Sequence, residues 1–216
     1  MPAPTIAQLP EAIPIFPLAG VLLLPGGQLP LNIFEPRYLA MTRDALASDW
    51  MIGMVQPVAP EEASDRVEVY RIGCAGRITS LSETDDGRYL ISLSGLCRFE
   101  IADEPASRKG YRRVIADWSR FTDDLATAER GALDRDRLLS ALRNYFESHH
   151  IWVDWKALEN APGDQLVTSL AMACPFAPRE KQALLESPSP GARAELMISL
   201  LAMSVLDRAD GTAAPH

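Results

Sequence analysis

The chain has 216 residues, 47% apolar and 23% charged, with a formal charge of −8. That balance belongs to an ordinary soluble globular protein, long enough to bury a core without disulfide or metal staples. Residues 1–120 carry 12 basic and 15 acidic groups and residues 121–216 carry 9 and 14, so neither half has the cationic surplus that binding to nucleic-acid phosphates requires. Near the amino terminus no basic segment precedes an apolar one, and the longest apolar run there, 19–24, is broken by Pro25-Gly26-Gly27. No stretch approaches the roughly 20 apolar residues of a membrane span. Cysteines at 74, 97 and 174 show no C-x-x-C spacing and leave an odd one out, which suggests reduced thiols in a cytoplasmic protein.

In chain order, residues 1–12 read as a loosely held arm. Short apolar segments at 13–18 and 28–34 flank a Gly/Pro loop, and Pro36 suits the first turn of a helix striped by Tyr38, Met41, Ala45 and Leu46. Residues 51–55 read as a strand, and 57–66 as a polar, acidic loop. The stretch 70–101 reads as one long β-hairpin, with Asp86-Gly87 as a two-residue type I′ turn. That turn places Asp85 opposite Arg88. Ile72, Cys74, Ile78, Ile91, Leu93, Cys97, Phe99 and Ile101 then share an apolar face, and Arg71, Arg77, Glu83, Ser92, Ser94, Arg98 and Glu100 a wet one. Gly76 and Gly95 lie opposite each other, where a missing side chain signals a bend or a close backbone approach. Cys74 and Cys97 become diagonal neighbours, two buried thiols being favoured over a disulfide. A further strand is expected over 111–121.

After Phe121 the periodicity becomes helical. Leu138, Leu139, Leu142, Tyr145 and Phe146 mark one helix, and Leu166, Val167, Leu170, Ala171 and Cys174 a second. Pro178 opens a third, and Ser189-Pro190 caps a fourth with Leu196, Met197, Leu200, Leu201 and Ser204 inward. Strands followed only by helices argue for an α+β fold. The expected architecture is a β-barrel with an inserted helix over 1–120, then a C-terminal helical bundle over 121–216.

The hairpin's R-I-G at 71–73 and G-L-C-R-F at 95–99 resemble the amino-terminal, substrate-binding domain of ATP-dependent Lon proteases. So do IPIFPLAGVLLLPGGQLPLNIFEPRY at 13–38 and PREKQALLESPSPGARAELMISLL at 178–201, and the I-F-E-P-R-Y run resembles stand-alone proteins of that family. The resemblance runs in order from about 13 to about 206. It implies a PUA-like β-barrel, and a module that binds polypeptide, namely unfolded or degron-bearing clients, as an adaptor in quality control or beside a protease partner. The chain contains neither the G-x-x-x-x-G-K-[ST] phosphate loop nor a context like the serine–lysine dyad around Lys109, Lys156 or Lys181, so no catalytic residue, cofactor or enzymatic activity is expected. The alternatives are RNA binding, which PUA-like folds often show and the acidic charge opposes, and a small-molecule sensor with a pocket between barrel and bundle.

Individual residues add little chemistry. Adjacent His149 and His150 point about 100° apart on a helix, which does not suit a shared metal, and no metal site is expected. Glu35 suits a helix start and Arg37 some nearby carboxylate. Asp123-Asp124 read as linker, and Asp134 and Asp136 as the acidic first turn of a helix. Trp152 and Trp155, beside Tyr145 and Phe146, form an aromatic cluster on the helical part, most of which is expected in the core; one exposed ring would merit attention, since tryptophan is common at binding surfaces. The expected peptide-binding residues are Leu23, Leu24, Pro25, Phe34 and Tyr38 at the strand–helix corner. The competing role for these five is to fill the barrel.

Overall fold

The computed structural model describes residues 5–59, 67–106, 109–126, 133–209 and 211. Among them are six strands: β1 (Ala12–Pro17), β2 (Gln28–Ile33), β3 (Met51–Val55), β4 (Ile72–Glu83), β5 (Tyr89–Asp103) and β6 (Arg112–Asp117). Helix α1 (Pro36–Leu46) lies between β2 and β3. A 3-10 segment (Ser119–Leu125) follows β6, and then come α2 (Arg135–Ser148), α3 (Trp155–Asn160), α4 (Gly163–Ala173), α5 (Pro178–Glu186) and α6 (Pro190–Ala209). The fold is α+β, strands first and helices after. The short α3 was not anticipated. Its signal is Asp154, whose carboxylate accepts from the Ala157 N–H and caps it.

The strand order is β2-β5-β4-β3-β1-β6, mixed because β1 and β3 run parallel. A three-pair ladder between the end of β5 and β6 brings the sheet back on itself. It is a curled sheet rather than a regular closed barrel, since β2 hangs from β5 outside that circuit. Buried apolar side chains of strands and helices form one continuous cluster, from Leu9 and Ile13 to Met197 and Leu201. Phe99 at its centre is fully buried, each such side chain contributing about 1.5–3 kcal/mol. The last strand ends at Asp117 and helical elements follow from Ser119, and the buried apolar cluster is continuous across that change. Residues 5–12 are better held than a loose arm: Leu9 is buried, and Pro10 accepts a hydrogen bond from the Trp118 indole. The final strand stops at Asp117, whose carboxylate accepts from the Ser119 N–H and starts the 3-10 segment. Parts of three expected features, the 57–66 loop, the 121–130 linker and the tail with His216, lie outside the described residues.

The hairpin corrects the expected register. Only Gly87 in its turn has positive φ, at +78°, whereas a type I′ turn needs two such residues. Thr84 closes a three-residue loop instead: its carbonyl accepts from the Gly87 N–H, and its hydroxyl accepts from the Arg88 N–H. Glu83 therefore faces Tyr89. Two register shifts follow, between Ile78 and Ser80 and between Ala75 and Gly76. Between them the expected phase returns, so Ile78 pairs with Leu93 and Gly76 with Gly95. Beyond the second shift Cys97 pairs with Ala75 and Arg98 with Cys74, and Arg98, expected in water, is buried. The wet-face expectation fails at both ends. Ile72 to Gly76 are all buried, and Thr79 to Glu83 are all exposed on a protruding tip.

The Gly76–Gly95 pair serves the close approach its composition suggested. The 18–27 loop crosses β5 there, with Gly26 donating to the Gly95 carbonyl and Gly95 donating to the Gly27 carbonyl. A Cβ on Gly95 would lie 2.0 Å from the Leu24 carbonyl oxygen.

Candidate functional site

The five expected binding residues are not brought together on the surface. Leu23, Leu24 and Pro25 are buried where the 18–27 loop lies on the sheet. Tyr38 is buried against Phe16, ring centroids 4.2 Å apart, and burial raises its phenol pKa. These four fill the core. Phe34, 60% exposed at the end of β2, is the one that offers surface.

Beside Phe34 the register builds a strip of mixed polarity. Asn32, Leu90 and Ser82 form one row across β2, β5 and β4, and Pro30, Ser92 and Ser80 form the next row but one on the same face. They line an open trough of about 450 Å³. Leu90 is 45% exposed, and the Arg88 guanidinium sits 5.9 Å from the Phe34 ring centroid. Among the described residues β2 pairs with β5 alone, so its other side is an open edge. Pro30, lacking an N–H, is tolerated in such an edge strand. Extended polypeptide binds surfaces of this kind, main chain along the edge and apolar side chains in the trough.

A second hollow, about 720 Å³, lies between the 18–29 stretch and helices α4 and α5. Val21, Leu22, Leu29 and Met172 give it apolar walls, Gln28, Gln165 and Ser169 polar ones, and Pro30 is common to both hollows. Lys181 lines it as well, only 6% exposed. Its ammonium donates to the carbonyls of Gly20 (2.8 Å) and Met172 (3.2 Å), and burial lowers its pKa. The lysine thus ties the loop to α4. Gln56 and Gln182 reinforce the seam by donating to the carbonyls of Pro178 and Ile72.

The strongest tie between sheet and helices is Arg98. It grips Asp124 through Nε and Nη2, both at 2.8 Å, and Nη1 donates to the carbonyls of Leu185 (3.0 Å) and Ser187 (2.7 Å). Asp124, read from sequence as linker, is one half of this ion pair, with the two side chains 7% and 10% exposed. Asp134 does cap a helix, accepting from the Arg137 N–H, and Glu35 is the N-cap position of α1 and pairs with Arg37 at 2.9 Å.

The remaining reactive groups point to no chemistry. All three cysteines are free and buried, and burial pushes Cys97 up to about 12 and Cys174 up to about 11, leaving them protonated and inert. His149 stacks on Tyr145 and shares a hydrogen bond with Ser204 at 3.0 Å; His150 follows the C-cap of α2 with φ of +55°. Among the described residues no three His, Cys, Asp or Glu side chains gather as metal ligands, and no helix is long and apolar enough to cross a membrane. Trp152 is 88% exposed, outside the core expected for most of the aromatic cluster.

Two sequence signals for buried charge went unread. Arg98 stands inside the apolar run Leu96-Cys97-Arg98-Phe99, and Lys181 precedes Leu184 and Leu185 by three and four residues, on the buried helix face.

Residues 12–203 match the family of the ATP-dependent protease La (LON) substrate-binding domain. The chain belongs to this family. Among its relatives, Lon protease 2 of Myxococcus xanthus is 33% identical over 97 residues, 44% of this chain and 12% of that protein. Lon protease of Elusimicrobium minutum is 24% identical over 210 residues, 94% of this chain and 25% of that protein. The chain thus spans a quarter or less of the Lon proteases it matches. The fold is that of a Lon N-terminal domain protein from Xanthomonas campestris, with a TM-score of 0.63 at 21% identity, covering 87% of this chain and 97% of that one. The N-terminal domain of a Mycobacterium avium complex Lon protease gives 0.60 at 16% identity, covering 89% and 98%.

Proposed function

We propose that this LON substrate-binding-domain chain is a non-catalytic module that binds extended, apolar polypeptide along β2. The observation that carries the reading is exposed Leu90 in a trough beside an open strand edge, with exposed Phe34 just past the end of that strand. The trough's serines and Asn32 hydrogen-bond a main chain of any sequence, while Phe34, Leu90 and Pro30 favour apolar side chains. Unfolded clients present both features, and delivery of such clients to a protease partner is the adaptor form of this role. The trough is shallow and its ligand must be ordered on binding, so affinity should be micromolar, about −8 kcal/mol at best.

Fluorescence anisotropy with a labelled, unstructured, leucine-rich peptide tests this. Phe34→Ala and Leu90→Ser should each weaken binding severalfold without lowering the melting temperature, since both side chains are exposed. Affinity should change little between 50 and 200 mM salt. Steeply salt-dependent binding of single-stranded RNA with no binding of peptide would overturn the reading.

A further inference from the structure

We infer that the cavity lined by Lys181 receives the free carboxylate at the C-terminal end of a bound polypeptide, an inference that rests on the polypeptide-binding reading above. A buried ammonium is ordinarily matched by a carboxylate. Among the described residues Lys181 is not: its partners there are two carbonyl oxygens, and none of their Asp or Glu side chains contributes to its electrostatic surroundings. Two of its three N–H donors are thereby committed, and the third is left for a ligand in the cavity it lines. The carbonyls of Gly20 and Met172 fix the ammonium without neutralising it.

The anion this position accepts must arrive with an apolar, extended body. Val21, Leu22, Leu29 and Met172 form the apolar walls, and the volume suits a few residues rather than a single ion. The cavity also begins where the peptide trough ends. Pro30 lines both hollows, and β2 runs from Gln28 in the cavity towards Phe34 beyond the trough. Six strand steps at about 3.3 Å span roughly 20 Å. A chain laid along the edge from Phe34 would reach Lys181 with its last few residues. Every unfolded or truncated polypeptide carries one carboxylate at that position whatever its sequence, and capture of a terminal carboxylate is a known mode of peptide recognition.

The test compares two labelled leucine-rich peptides of one sequence, one ending in a free acid and one in an amide, by anisotropy against the intact chain. The acid should bind at least tenfold more tightly. Lys181→Met should reduce the acid peptide to the amide's affinity, Lys181→Arg should keep part of the preference, and Ser169→Trp, at an exposed wall position, should weaken the acid peptide alone. The acid–amide comparison needs no variant, so a misfolded Lys181→Met leaves the test standing. Equal binding of the two peptides would overturn this inference and leave the polypeptide reading intact. Binding of neither would overturn both. Competition by N-acetyl-leucine as effective as the acid peptide would also overturn it, assigning the cavity to small carboxylates.

Discussion

Asp124→Ala tests whether the Arg98–Asp124 pair fastens sheet to helices. With both side chains at or below 10% exposure, solvent screens the pair little. Removing the carboxylate leaves a guanidinium buried with no counter-charge and takes the acceptor from the Arg98 N–H, which bonds the same carboxylate at 3.0 Å. Breaking a buried pair in this way costs about 3–5 kcal/mol, a fifth or more of a typical domain's stability. Arg98→Met costs a similar amount, because it takes the guanidinium from the buried Asp124 carboxylate and Nη1 from the carbonyls of Leu185 and Ser187. In the double variant Arg98→Met/Asp124→Ala neither charge remains to be buried, and the cost reduces mainly to those carbonyls and the residue-98 N–H, about 1–3 kcal/mol each. The two substitutions should therefore fall short of additivity by about 2 kcal/mol or more. Urea denaturation followed by circular dichroism, with the slope checked for each variant, measures it. Losses that add within about 0.5 kcal/mol, or single variants costing less than about 1 kcal/mol, would refute the assignment.

Leu93→Asp puts an unpaired carboxylate in the core beside Ile78 and should cost several kcal/mol, whereas Ser92→Asp on the trough face should stay within about 0.5 kcal/mol; similar losses of melting temperature in both would contradict the register. His149 provides a pH test. Burial, then the charge of Arg208, lowers its pKa, so the unfolded chain takes up a proton near pH 6.5 while the folded chain resists it. The stability it contributes is complete above pH 6.5 and is lost as pH falls through the lower folded value. Between pH 7 and 5 the wild type should lose more melting temperature than His149→Gln, and equal slopes would exclude the effect.

What was legible in the sequence is what depends on local pattern. Short apolar segments placed β1 and β3, period-two alternation placed the hairpin, helical spacing placed α2, α4 and α6, Pro178 placed the start of α5, and Gly76 with Gly95 disclosed the loop crossing. The turn was misread because Asp-Gly serves two geometries, and the choice between them lies with the Thr84 hydroxyl. That single step propagates. One register shift restores the apolar phase and the second undoes it, and beyond the second Arg98 is buried because Asp124 and the end of α5 cover it. The binding corner was misjudged for a related reason: apolar residues near a Gly/Pro loop read alike whether they plug a sheet or face water. Only the tertiary path of the 18–27 loop decides that Leu23 and Leu24 plug it.

The same rephasing shapes the candidate site. At the base of the hairpin, burial on both faces locks β4 and β5 to α5 through Arg98 and Gln182. At the tip, beyond Thr79, β4 leaves its β3 ladder and both faces open to solvent. The one apolar side chain of β5 that this opening exposes strongly is Leu90, and β2 brings Phe34 to the same face. Thus the rigid end of the hairpin holds the helices that wall the Lys181 cavity, and the open end displays the trough. Pro30, where the two hollows meet, blunts an edge that would otherwise invite strand pairing with any neighbour, so in the proposed mode of binding selectivity would rest with the trough and the buried lysine rather than with backbone hydrogen bonds alone.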